Sequence, residues 1–246
     1  MGLGRAEKSL HYKENKYMGI TFEPHICVYL DVLGGEAIFA KADTDVQSAE
    51  EFLQFILDFE NRLNGMRQGK KTVVKTFSDN IFAAIPIEAT PAVSREQWVG
   101  YFLYEVIQQI KMIFLLSELP IRGGVTIGNL FINERAILGP AVPRAVRLEE
   151  KEANYPRIVV DQNVLDLLPK FRGFESEEHP MIYMADDNVP SLNYLGLDSF
   201  LLNKHNEIIQ KKILEFSDNA RILSKYRWLE KYHLAMVTRM KRMNLL

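Results

Sequence analysis

Two aspartates stand in apolar surroundings in this 246-residue chain. Asp31 closes the run Ile26-Cys27-Val28-Tyr29-Leu30 and is followed at once by Val32-Leu33-Gly34-Gly35. Asp79 lies in Val73-Val74-Lys75-Thr76-Phe77-Ser78-Asp79-Asn80-Ile81-Phe82-Ala83-Ala84-Ile85, a stretch rich in the β-branched and aromatic residues that strands favour. A lone carboxylate taken out of water needs a partner, because desolvation costs several kcal/mol even after relaxation. One bridging divalent cation would satisfy both, and magnesium is usually held by two hard oxygen ligands plus substrate phosphates. The competing reading is structural: an Asp at a strand end often forms a turn or caps a helix. The glycine pair after Asp31 and the lysine four residues before Asp79 favour a metal-dependent phosphoryl-transfer site.

The elements that must position these residues follow from periodicity and punctuation. Residues 1–24 read as an irregular lead-in closed by Pro24, and the first strand spans about 26–32. A helical region opens at Gly34-Gly35, with an apolar stripe from Ala49 to Leu63. Strands at 72–76 and 80–86 form a hairpin bent at Ser78-Asp79-Asn80, and a long helix from about Glu96 to Ser117 ends before Pro120. A second hairpin (121–131 and 136–142), a helix from Val142 to Ala153 and a strand at 157–161 complete the order β-α-α-β-β-α-β-β-α-β. That order predicts an α+β fold, a ferredoxin-like or palm-type core with a mostly antiparallel sheet and helices on one face. Residues 25–196 are expected to form this core. Residues 197–246 read as a C-terminal helical extension broken at Ser217-Asp218-Asn219, packing on the core or on a second copy.

Composition is that of an ordinary globular protein, with 47% hydrophobic and 25% charged residues. The formal net charge of -2 gives no global pull toward nucleic acid or anionic membrane. The single cysteine, Cys27, excludes an intrachain disulfide framework and a Cys-based zinc cluster, and its apolar setting suggests a buried small hydrophobe. The charged start from Met1 to Lys16 has no apolar core segment, and Met112-Ile113-Phe114-Leu115-Leu116 is too short to span a bilayer. A cytoplasmic protein without direct membrane binding is expected.

At these residues the chain resembles the class III nucleotidyl cyclases, the adenylate and guanylate cyclase family. Tyr29-Leu30-Asp31-Val32-Leu33-Gly34 meets the family pattern around the first metal aspartate. Lys75-Thr76-Phe77-Ser78-Asp79 meets the second, which runs base-selecting residue, Thr, apolar, small, Asp. The third, a hairpin with Arg and Gly followed by Gly-x-x-Val-Asn-x-Ala-x-Arg-apolar, falls on Arg122 to Gly128 and Gly139-Pro140-Ala141-Val142-Pro143-Arg144-Ala145-Val146-Arg147-Leu148. The match covers about residues 26 to 161, and three such motifs in order are fairly specific.

Two departures stand out. The family's transition-state asparagine falls on Pro143, which has no side-chain donor, and the acidic residue that reads adenine falls on Ala136. With Tyr155-Pro156-Arg157-Ile158-Val159-Val160 and Lys225-Tyr226-Arg227-Trp228-Leu229-Glu230-Lys231-Tyr232-His233, they resemble the bacterial pyrimidine cyclases of Pycsar antiphage defence. That likeness implies a homodimer with composite active sites that makes cyclic UMP or cyclic CMP from UTP or CTP. It also implies a separate cyclic-nucleotide-responsive effector protein.

The resemblance assigns roles by position. Asp31, Asp79 and the Val32 backbone carbonyl would hold two Mg2+ or Mn2+ ions. Arg147, from the other subunit, would stabilise charge at the α-phosphate, with Arg144 as a partial substitute for the missing asparagine. Gly34 and Gly35 would leave room for amides that cup the triphosphate. Lys75, Tyr29 and Ala136 would face the base, Tyr29 sharing a strand face with Asp31. Arg122 reads as structural. The alternatives are a purine (adenylate or guanylate) cyclase and a catalytically inactive cyclase-like module that binds nucleotide.

Overall fold

The computed structural model describes residues 20–66, 72–168, 180–196 and 198–245. The strands are β1 (Glu23–Val32), β2 (Val73–Phe77), β3 (Asn80–Pro86), β4 (Ile121–Ile132), β5 (Ile137–Leu138), β6 (Ile158–Val160), β7 (Ile182–Met184) and β8 (Pro190–Leu192). Between them run α1 (Gly35–Phe39), α2 (Val46–Met66), α3 (Arg95–Ser117), α4 (Ala141–Lys151) and α5 (Gln162–Leu165), followed by α6 (Ser199–Glu215) and α7 (Ala220–Arg242). One sheet runs β2-β3-β1-β4-β6-β8-β7, with β5 paired to β4. β1 is antiparallel to both β3 and β4, and β3 is antiparallel to β2, so β3 splits the β1–β2 unit as in a ferredoxin-like core. The sheet is therefore mixed: β6 joins β4 in parallel.

Strand alternation divides the core. Ile26, Val28, Leu30 and Val32 face α2 (Phe52, Ile56, Phe59, Leu63) and α3 (Val99, Phe102, Val106, Ile113) in the main hydrophobic cluster. Cys27, Val73, Phe82 and Ala84 face the other way and pack with Ala141 and Ala145 of α4. The expectation of helices on one face is thus corrected. α4 lies on the opposite face because glycines there clear a path: a Cβ on Gly124 would sit 2.4 Å from Leu148 Cβ. Cys27 is fully buried and its thiol is pushed up to about 12 by that burial, so it has no nucleophilic character.

Several boundaries move. The first strand begins at Glu23, so Pro24 lies inside it and its carbonyl accepts from the Ile87 amide at 3.0 Å. The pairs β7 and β8 were not foreseen. α3 starts on a Ser94–Gln97 capping box and stops at Glu118, which takes φ 58. Among the described residues it is the one helix long and apolar enough to cross a membrane. Its apolar side chains are packed into the core, as in any core helix.

α6 and α7 join the main cluster through Leu201, Ile209, Ile213, Tyr226, Leu229 and Met236. A buried polar network fastens them. Tyr194 Oη lies 2.7 Å from His205 Nε2, and Tyr232 donates to Asn193 Oδ1 at 2.7 Å while accepting from the Leu195 amide at 3.0 Å. Burial, with the His233 charge behind it, pulls the His205 imidazole down to about 3. The folded state thus holds His205 neutral while the unfolded chain protonates near its ordinary value, so stability falls as pH drops below about 6.5. Between pH 7 and pH 5 this one group should cost about 2 kcal/mol. Urea unfolding at both pH values checks it: His205→Gln, which cannot titrate, should lose about that much less stability than wild type on acidification.

Candidate active site

One sheet face is polar at its end. The pairs Asp31↔Asn80, Asp31↔Arg122, Tyr29↔Phe82, Lys75↔Phe82 and Phe77↔Asn80 place these side chains on the same side as α4. Asp79 lies in the two-residue turn between β2 and β3, not within a strand, and both aspartates are half-buried. Ser78, ahead of Asp79, takes the left-handed region at φ 55, as a tight hairpin requires at its first central residue. That turn folds back over the end of β1. The Val32 amide donates to the Asp79 carbonyl at 3.0 Å, and a Cβ on Gly35 would lie 2.6 Å from Asp79 Cβ. Gly35 therefore makes room for Asp79, which the sequence reading had not foreseen. Gly34 takes φ 92 and caps α1, turning the chain immediately after the aspartate strand.

Hydrogen bonds tie the face together. Tyr29 donates to Asn80 Oδ1 at 2.7 Å, and Asn80 Nδ2 donates to Asp79 Oδ1 at 3.2 Å. Burial raises the Tyr29 phenol, and the charges of Glu149, Asp31, Asp79 and Glu150 raise it further. Tyr29 thus stands within electrostatic reach of both aspartates. Asp31 is not a lone carboxylate. Arg122 Nε donates to its Oδ2 at 2.7 Å and lies 2.7 Å from Glu149 Oε1 as well. The premise that Asp31 lacks a protein partner is corrected: the antiparallel register sets Arg122 directly opposite it. Burial pushes the Glu149 carboxyl up, against the pull of Arg122.

The three arginines on this side have separate fates. Arg144 is spent on Asp161, with Nε to Oδ2 at 2.8 Å and Nη2 to Oδ1 at 2.7 Å, so it does not replace the asparagine missing at Pro143. Thr126 and the Gln162 amide complete that carboxylate, and the Arg144 hydrogen bonds, with Thr126 and its neighbours, hold Asp161 below the usual range. Arg147 is exposed on α4 and makes no hydrogen bond or ion pair among the described residues. Arg122 belongs to Asp31 and Glu149.

Two other expected residues stand apart. Lys75 shares a cross-strand row with Phe82 and Tyr29 but is exposed, two strands from Asp31. Ala136 lies in the β4–β5 turn, where its amide donates to Asn133 Oδ1 at 2.7 Å. From Arg122 to that turn is roughly 33 Å along the strand, so one chain does not bring Ala136 to Asp31.

Glu149 and Lys225 were missed. Lys225 on α7 is near enough for Arg122, Arg221 and Asp31 to act on its ammonium, which burial and the two guanidiniums pull down. Tyr226 beside it reaches the Glu118 carbonyl at 3.4 Å, fixing α7 at the head of β4. The close approach of α4 at Gly124 could have flagged Glu149, but nothing local flags Lys225.

Among the described residues no cluster of three or more His, Cys, Asp or Glu side chains forms a metal cage. A cation here would rest on the Asp31 and Asp79 carboxylates and the Val32 carbonyl, with ligands from outside the protein, such as water, supplying the rest. Those hard oxygen donors fit Mg2+ or Mn2+, ions that keep part of their shell from outside the protein.

No protein-family model matches the chain, and no curated protein does. Solved structures do. The adenylyl cyclase CyaB from Pseudomonas aeruginosa is 14% identical at a TM-score of 0.44, over 71% of this chain and 94% of that one. An adenylate/guanylate cyclase/hydrolase from Silicibacter pomeroyi is 16% identical at 0.44, over 71% and 96%. A bacterial light-regulated adenylyl cyclase is 15% identical at 0.47, over 79% of this chain and 59% of that one. Similarities of this size say nothing about activity.

Proposed function

We propose that the chain is a class III-type nucleotidyl cyclase that converts a pyrimidine nucleoside triphosphate, UTP before CTP, into its 3′,5′-cyclic monophosphate. The observation that carries this reading is the meeting of Asp31, Val32 and Asp79, brought together by a strained turn and a glycine. The ribose 3′-oxygen attacks the α-phosphorus, the bond to the β-phosphate oxygen breaks, pyrophosphate leaves, and the hydroxyl proton passes to solvent. Nucleophile and electrophile are tethered in one substrate, so the protein supplies position and charge. Mg2+ or Mn2+, two ions per site and held by Asp31, Asp79 and the Val32 carbonyl, would acidify the hydroxyl and offset the leaving charge.

Arg147 suits the α-phosphate because it is permanently charged and makes no hydrogen bond or ion pair among the described residues. From a second copy it would reach a site that its own subunit does not complete, which is why a homodimer is proposed. Tyr29 and Lys75 would face the base, and a phenol fills the space that a smaller pyrimidine leaves. Lys75 can only donate, which suits the carbonyl oxygens of uracil. Ala136 brings no acid for an adenine amino group. In a cytoplasmic antiphage system of the Pycsar kind, the cyclic nucleotide would be read by a separate effector protein.

Pro143 favours a second reading, an inactive nucleotide-binding module, because it leaves the usual transition-state donor absent. Pyrophosphate release from UTP in Mn2+ separates the two. Release by wild type and none by Asp79→Ala is the expected outcome, and no release by either protein supports the inactive module.

A further inference from the structure

Arg122 Nε carries one hydrogen and has two carboxylates within reach. The hydrogen goes to Asp31 Oδ2, while Glu149 Oε1, at the same 2.7 Å, has the charge contact with Arg122 but no well-aligned hydrogen bond among the described residues. The Glu149 side chain is 4% exposed, so water does not serve that oxygen well. It cannot back away, since α4 is seated on Gly124, where a Cβ would be 2.4 Å from Leu148 Cβ and 3.2 Å from the Glu149 nitrogen. A buried acceptor is thus kept waiting beside a donor engaged elsewhere.

We propose that Arg122 is a built-in competitor for the cation at Asp31, and that Glu149 is the acceptor to which it turns when the cation binds. This rests on the reading of Asp31 as a metal ligand. Without a cation, the guanidinium keeps Asp31 from standing unpaired near Asp79 and Glu149. When a divalent ion takes Asp31, the displaced positive charge meets a carboxylate already at hydrogen-bonding distance, so a small swing of the planar guanidinium carries its Nε–H from one carboxylate to the other. Arg122 and Glu149 are positioning residues and touch no substrate. The arrangement ties metal occupancy to a small rotation that tightens β4 against α4.

Mn2+ binding to the full chain without nucleotide, followed by the electron paramagnetic resonance of free Mn2+, tests the hand-over. Glu149→Gln should weaken binding about ten-fold in the wild-type background, in the range expected for partners of metal ligands, and about two-fold or less beside Arg122→Gln. An equal factor in both backgrounds means ordinary charge attraction and overturns the proposal, as does no effect of Glu149→Gln. If Glu149→Gln fails to fold by circular dichroism, Arg122→Gln alone decides: it should bind Mn2+ more tightly, and unchanged or weaker binding overturns the proposal. Asp31→Asn is the separate control. Loss of binding there with an unaffected Glu149→Gln sinks the hand-over alone, and full binding by Asp31→Asn sinks the metal reading with it.

Discussion

Asp31→Asn and Asp79→Asn should each lower cyclase turnover by about a thousand-fold or more, because a metal clamp supplies several kcal/mol of transition-state charge stabilisation and each 1.36 kcal/mol is ten-fold in rate. Neither change alters side-chain volume appreciably, so the loss should be chemical and not structural. Asp31→Asn does remove the negative charge that faces Arg122, although its amide oxygen can still accept. The arginine side chain is 35% exposed and still has Glu149 beside it, so the stability cost should stay within about 1 kcal/mol. Asp79 occupies a half-buried turn position that an asparagine fills readily, again with little effect on the fold. Steady-state rates in Mn2+, set beside thermal melts of the same preparations, check both halves. Near-normal turnover by either folded variant would remove the metal assignment.

The second large effect concerns the assembly. Asp79→Ala and Arg147→Ala chains, each inactive alone, should regain about a quarter of wild-type activity when refolded together in equal amounts. Random pairing makes about half of the dimers mixed, and each mixed dimer keeps one of two symmetry-related sites intact. The premise is that Arg144 and Arg122 are both spent within the chain while Arg147 is exposed and makes no ion pair among the described residues. Activity from a monomer in sedimentation velocity, or mixtures no better than their components, would contradict composite sites.

What was legible in the sequence was local. Strand alternation forecast that Tyr29 shares a face with Asp31, and the same alternation sends Ile26, Val28, Leu30 and Val32 to the opposite cluster. The hairpin at Ser78-Asp79 and the glycines after Asp31 were likewise visible, and the ferredoxin-like order of β1 to β4 followed from element types. The partners that cross the sheet were not visible. Arg122 meets Asp31 through a register set far along the chain, and Glu149 arrives on a helix whose face depends on Gly124. β7 and β8 were missed because strands of three residues carry no readable period. The seating of α6 and α7 rests on Tyr194, Asn193, His205 and Tyr232, whose hydrogen bonds no local pattern announces.

The most direct test offers the purified chain all four nucleoside triphosphates at equal concentration with Mn2+ and identifies the products by mass spectrometry. The reading predicts cyclic UMP as the main product, with cyclic CMP next and pyrophosphate in equal amount. A cyclic product from ATP or GTP alone would contradict the pyrimidine assignment, and no cyclic product from any of the four would contradict a cyclase.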